Sequence, residues 1–123
     1  GSSLKMWRDY FAEAKIVGID IQDGIDIRDE ERIRTITPCD QSDPWDLLDL
    51  IATIGRPDII IDDGSHETEH QIISAVTLGP YLRRGGLYVI EDVREPEVLT
   101  REIGGTIMQF DKRPDDCLVV LHK

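Results

Sequence analysis

Leu4, Trp7 and Phe11 recur at helical spacing, which predicts a short amphipathic helix over residues 3–12. Lys15 to Asp20 (KIVGID) is a β-branched apolar run of strand length. The stretch IQDGIDIRDEE after it mixes charges around an Asp-Gly and predicts a loop with at most one helical turn. Arg32 to Thr37 alternates apolar and polar positions, as a half-buried strand does. Asp43 then offers a side-chain oxygen to orphan amides, Pro44 presets the first helical φ, and Asp46 suits the positive helix end. Leu47, Leu50, Ile51 and Ile54 form the apolar stripe of that helix, and Gly55 provides a left-handed C-terminal cap.

Asp58 to Ile61 (DIII) predicts a strand buried on both faces, as in a parallel sheet. Past Asp63-Gly64-Ser65 a helix is expected from about His66 to Leu78, with Ile72, Ile73 and Val76 facing the core; Pro80 limits it. Gly85-Gly86 turn the chain into the apolar strand Leu87 to Ile90. Glu95 to Ile103 predicts a further helix with Pro96 in its first turn. Thr106 to Asp111 and Cys117 to His122 predict two strands, and the short connection makes them antiparallel neighbours. Alternating helices and strands imply one α/β domain over residues 1–123: a doubly wound, mostly parallel sheet closed by a C-terminal antiparallel hairpin. The chain opens on a helix where such a sheet usually has its central first strand, so that strand is absent from the pattern.

Composition narrows the partners. The net charge of -11 repels phosphate backbones, which argues against nucleic acid and favours cationic ligands. No apolar run reaches the roughly 18 residues of a membrane span, and no signal-peptide pattern opens the chain, so a cytoplasmic location is expected. Cys39 and Cys117 lack metal-ligand spacing and read as isolated buried thiols of a reducing compartment. An unpaired central strand edge invites a partner, which leaves room for a homo-oligomer.

In open α/β sheets ligands bind beyond the carboxyl ends of the strands. Asp20, Asp62-Asp63 and Glu91-Asp92 end three strands in acid, and Asp40 follows the fourth within a short loop. Stacked acids repel one another unless they hold cations or ligand hydroxyls. Asp20 is placed to accept ribose hydroxyl protons, or is a solvated strand end. Asp40 and Gln41 are placed for the adenine amine, or serve a turn. In Asp62-Asp63-Gly64-Ser65-His66, Asp63 offers oxygen to a hard cation and His66 an imidazole that is mostly neutral, hence basic, at pH 7. Adjacent strands lie about 4.8 Å apart, so Asp63 and Asp92 converge on one Mg²⁺ or form an acid pair that stabilises loops. His70, one turn beyond His66, faces either substrate or solvent. All these loops are expected to open onto one crevice.

SLKMWRDYF followed by AKIVGIDI, CDQSD, PDIIIDDGSH with a nearby HQ, and LRRGGLYVIEDV together resemble the class I methyltransferases that tailor macrolide sugars. Sequences called cephalosporin hydroxylase-like share the pattern. The likeness covers residues 1 to about 93 in order, and a closing DD-x-LVVLHK is similar to the family's last strand. It implies a Rossmann-like fold, S-adenosylmethionine and Mg²⁺ as cofactors, and methyl transfer to a hydroxyl of a sugar or other small natural product. It further implies that Gly1, Asp20, Ile21, Asp40, Gln41 and Asp62 line the cofactor site, that Asp63, Asp92 and Glu91 face the metal, and that His66 is the general base. The family's first strand and most of its glycine-rich loop would precede Gly1. The competing expectation is a truncated or catalytically deficient domain serving as a binding or assembly module.

Overall fold

The computed structural model describes residues 2–23, 32–110 and 116–123. Gly1, most of the loop after Asp20 and most of the connection before Cys117 lie outside the described residues. The chain forms two compact units, Gly1–Asp40 and Gln41–Lys123.

In the first unit, α1 (Ser2–Tyr10) packs on the parallel pair β1 (Ile16–Ile19) and β2 (Ile33–Ile36). Gly18 is what lets the helix approach: a Cβ there would sit 2.6 Å from Leu4 Cδ1. Trp7 stacks on Phe11 at 5.9 Å, which accounts for the aromatic positions of the helical pattern. The end of α1 is tied down by Arg32. Its guanidinium donates to the carbonyls of Phe11 (2.9 Å), Ala14 (3.2 Å) and Arg8 (3.2 Å), where a helix presents unpaired acceptors.

The second unit holds a four-stranded sheet of order β3-β4-β6-β5, made of Ile59–Asp62, Leu87–Ile90, Cys117–His122 and Thr106–Gln109 respectively. β3 and β4 are parallel, whereas β6 runs antiparallel to both β4 and β5. The expected α/β class, with parallel strands and a C-terminal antiparallel hairpin, is therefore present; the described strands form two sheets, in which parallel and antiparallel pairings are mixed. Three helices accompany it: α2 (Pro44–Ile54), α3 (Thr68–Leu78) and α4 (Pro96–Ile103). Leu47, Leu50, Ile51, Leu78, Leu82, Tyr88, Ile90, Leu99 and Val119 fill the core. The start of α2 follows its signals, since Asp43 accepts from the Trp45 amide at 2.9 Å and Pro44 takes the first turn. Gly55 does end the helix, but at φ 82°, ψ −163°, a glycine conformation outside the expected left-handed cap.

Three expectations need correction. His66 is not helical: its φ of 59° keeps it in the loop, and α3 begins at Thr68. The buried face of α3 is Gln71, Ser74, Ala75 and Leu78, with Val76 59% exposed. Apolarity misidentified that face because Gln71 and Ser74 find partners inside: Gln71 Nε2 donates to the Glu91 carbonyl, and Ser74 Oγ donates to the carbonyls of Gln41 and His70. β3 is not buried on both sides, because Ile59 at its start is 41% exposed.

The corrected face has a direct consequence. Val76→Ala should leave stability within about 0.5 kcal/mol, while Leu78→Ala should cost about 2–5 kcal/mol, both read from urea unfolding midpoints. Equal costs would show that the face is misplaced.

Candidate functional site

Parallel pairing puts the ends of β3 and β4 side by side. Asp62 is in register with Ile90, and the Glu91 amide donates to the Asp62 carbonyl at 2.9 Å. The next residues on each strand, Asp63 on one and Glu91-Asp92 on the other, therefore emerge at the same margin. Asp92 turns the chain with φ 49°, and His66 with φ 59°. Non-glycine residues are uncommon in this region, Asp and His less so than most, and they persist there where surrounding structure holds them, often at functional sites.

These turns bring Asp63, His66 and Asp92 together. One ligand atom from each lies within 4.8 Å of the others. His66 Nε2 is 4.0 Å from Asp63 Oδ1, and Nδ1 is 3.8 Å from Asp92 Oδ2. Both separations exceed a hydrogen bond. His66 Nδ1 is nevertheless buried and lacks a hydrogen-bond partner, so the set has unmet capacity for a cation or a polar ligand. Glu91 is not part of this three-residue set. Its carboxyl is pushed up from the ordinary range by burial and then by the charges of Asp63 and Asp92, which a bound cation would counter.

Beneath the loop lies a buried polar network. Asp62 is buried, and burial raises its pKa despite hydrogen bonds from Gln41 and the Gly64 amide. Gln41 Nε2 donates to Asp62 Oδ1 (3.1 Å), Asp62 Oδ2 (3.3 Å) and Ser74 Oγ (3.2 Å), while its Oε1 accepts from the Ser65 amide at 2.7 Å. Ser65 is held further, its Oγ lying 2.8 Å from His70 Nδ1. The Tyr88 hydroxyl is buried nearby without a well-formed hydrogen bond. Burial and the charge of Asp62 push its pKa well up, and Ser74 only moderates this.

Beside the acid–histidine set, at the start of α3, opens a shallow polar cleft of about 450 Å³. It is lined by Glu67, Thr68, Glu69, His70, Arg94 and Glu95. His70 thus faces a cleft rather than the core. The cleft walls are braced by Arg94 Nη1 donating to Glu67 Oε1 and Thr68 Oγ1 donating to Glu95 Oε2, both at 2.9 Å.

In the first unit, Asp20 directly follows β1 and Asp40 comes after β2, the parallel neighbour. The two loops are joined by the Cys39 amide donating to the Asp20 carbonyl at 2.7 Å. Asp20 Oδ1 accepts from the Gln22 amide at 2.9 Å, which fixes its carboxylate over the turn that contains Ile21. Gly1 lies outside the described residues. Cys39 and Cys117 are buried, and neither is in a disulfide. Among the described residues, no helix is long and apolar enough to cross a membrane.

No family model matches the chain. Over 94 residues it is 50% identical to mycinamicin VI 2''-O-methyltransferase of Micromonospora griseorubida, covering 76% of this chain and 23% of that protein. It is 48% identical over 94 residues to 8-demethyl-8-alpha-L-rhamnosyl tetracenomycin-C 2'-O-methyltransferase of Streptomyces olivaceus, covering 76% and 24%. Demethylmacrocin O-methyltransferase of Streptomyces fradiae is 48% identical over 93 residues, covering 76% and 23%. Among solved structures, the MycE methyltransferase of the mycinamycin biosynthetic pathway, in complex with Mg and SAH, superposes with a TM-score of 0.75 at 32% identity. That match covers 97% of this chain and 39% of the MycE chain. A MycE complex with Mg, SAH and mycinamycin VI matches with a TM-score of 0.74. This chain is therefore homologous to a segment of these methyltransferases and shares its fold, and it spans about a quarter of the length of the curated relatives.

Tyr88 provides a pH test of the buried network. Its folded pKa lies above the unfolded value near 10, so the neutral phenol favours the native state below pH 10 and that stability is lost as pH rises beyond it. Tyr88→Phe should remove this alkaline loss. At pH 7 it should match or exceed the parent by up to about 1 kcal/mol, because a poorly bonded buried hydroxyl is gone. Identical alkaline limbs in denaturant titrations at pH 9–11 would contradict the assignment.

Proposed function

We propose that this chain, homologous to the sugar O-methyltransferases over three-quarters of its length, is part of an S-adenosylmethionine-dependent, Mg²⁺-assisted O-methyltransferase. The acceptor is a hydroxyl of a sugar on a small natural product. The observation that carries the reading is the convergence of Asp63, His66 and Asp92 at the ends of β3 and β4. Two carboxylates suit a hard divalent cation and the imidazole beside them suits proton transfer, and the relatives and the MycE complexes supply the reaction class and both cofactors by analogy. Because the MycE match extends over both units, we assign both to one methyltransferase domain.

Asp63 and Asp92 would hold the cation, with Glu91 adding charge at the same margin. The cation would supply Lewis acidity toward the acceptor hydroxyl. S-adenosylmethionine would supply the methyl group as an electrophilic sulfonium. His66 takes the acceptor proton at a ring nitrogen, since a neutral imidazole has the basicity to do so near pH 7. Asp20 accepts from the ribose hydroxyls, with Ile21 beside it, Asp40 accepts from the adenine amine, and Asp62 lines the methionyl end. The polar cleft at Glu67, His70 and Arg94 suits the acceptor's sugar hydroxyls. With a net charge of -11 the protein is not a nucleic-acid binder, and its buried thiols fit a reducing cytoplasm.

Calorimetry with S-adenosylhomocysteine, with and without Mg²⁺, is the direct test. Binding together with a Mg²⁺-dependent rise in melting temperature supports the enzyme. No binding by a folded chain favours the alternative, a methyltransferase-like binding module. His66→Ala should lower kcat by about 10²- to 10⁴-fold. Asp92→Asn, which keeps a residue tolerant of positive φ, should abolish the Mg²⁺ dependence while the protein stays folded. Methyl transfer at the parental rate in either variant would refute the assigned roles.

A further inference from the structure

We propose that Gln41 is a positioning residue for the Asp63–His66–Asp92 set rather than a nucleobase ligand. Its side chain brackets the loop that carries the set. On one side Nε2 donates to both oxygens of Asp62, and on the other Oε1 accepts from the Ser65 amide. Asp63 and Gly64 lie between these two anchors, and His66 follows directly after the second. A carboxamide has two N–H donors and one acceptor oxygen. Here both N–H groups are spent on Asp62 and Ser74, and the oxygen is turned to the Ser65 amide, so the carboxamide is oriented by the loop itself.

Gly64 belongs to the same device. A Cβ at this position would fall on the Gln41 carboxamide oxygen, so the absence of a side chain at residue 64 makes room for the clamp. The clamp in turn holds a loop that needs holding. His66 sits at φ 59°, a conformation that costs energy for any residue with a side chain. Ser74, buried on α3, fixes Gln41 from behind: its Oγ accepts from Nε2 and donates to the Gln41 carbonyl. The hydrogen bonds from Gln41 thus run from the α3 face through Asp62 to the loop bearing the cation-binding groups.

The inference rests on reading Asp63, His66 and Asp92 as a cation site, and the test separates the two. Mn²⁺ and S-adenosylhomocysteine are titrated calorimetrically into the full chain and into Gln41→Leu, Gly64→Ala and Leu78→Ala. Gly64→Ala evicts the Gln41 amide without altering Gln41. Leu78→Ala lowers stability from the far end of α3 and controls for it. The expected result is Mn²⁺ affinity about 10- to 100-fold weaker in both loop variants, as for loss of groups that orient metal ligands. S-adenosylhomocysteine affinity should stay within about twofold, and Leu78→Ala should bind Mn²⁺ like the parent. Any methyl transfer should lose kcat with the acceptor KM unchanged. Parental Mn²⁺ affinity in the loop variants overturns the role of Gln41 alone. Weakened S-adenosylhomocysteine binding with unchanged Mn²⁺ affinity returns Gln41 to the nucleobase. An equal Mn²⁺ loss in Leu78→Ala reduces the effect to stability. A parent chain that binds no Mn²⁺ overturns the cation site itself and the positioning role with it.

Discussion

The spacing of two parallel strands sets the terms for the rest of the site. Neighbouring strands lie about 4.8 Å apart, and β3 and β4 both end in consecutive acids. Asp62, Asp63, Glu91 and Asp92 therefore emerge at one margin, where like charges oppose each other. The structure distributes this conflict. Asp62 turns inward and takes hydrogen bonds from Gln41 and the Gly64 amide, while Asp63 and Asp92 stay half-exposed beside an imidazole. Glu91 is pushed up from the ordinary carboxylate range by burial first, and then by the charges of Asp63 and Asp92. Gathered charge of this kind is what the proposed cation would neutralise.

Among the described residues three non-glycine positions have positive φ, Arg32 in the first unit and His66 and Asp92 in the second. His66 and Asp92 are two of the three members of the converging set. Neither turn is supplied by glycine, although Gly64 lies two residues before His66. The side chains are thus kept at positions where a glycine would be less strained, which fits function constraining the loop more than stability does. The hydrogen bonds of Ser65, through its amide to Gln41 and its hydroxyl to His70, resist relaxation of that turn.

Much of this was legible from the residues. Asp43-Pro44 marked the start of α2, apolar runs and one alternating stretch marked the described strands within one or two residues, and the acids at the ends of β3 and β4 pointed to Asp63 and Asp92 as neighbours. What could not be read was anything that depends on partners distant in sequence. Gln71 and Ser74 look like surface residues until the Glu91 and Gln41 carbonyls that they bond are in place. The clamp at Gln41 joins residues 21, 24 and 33 positions away, and no periodicity carries such a signal. The one local hint was the glycine in DDGSH, which looked like a turn residue and is also a vacancy for a side chain.

The two units differ in what their acids do. In the first, Asp20 is committed to the amide of Gln22, and its loop is tied to that of Asp40 through the Cys39 amide. This arrangement sets the Asp20 carboxylate at the end of β1, beside the loop that carries Asp40. In the second, the acids are crowded at one margin, and burial raises the pKa of Asp62 and Glu91, surroundings in which a positive charge is favoured. The reaction proposed above, which brings a sulfonium donor to a hydroxyl acceptor, would use both kinds of site: neutral-ligand hydrogen bonding for the nucleoside and concentrated negative charge for the cation. The division of labour follows from strand-end chemistry in each unit taken by itself.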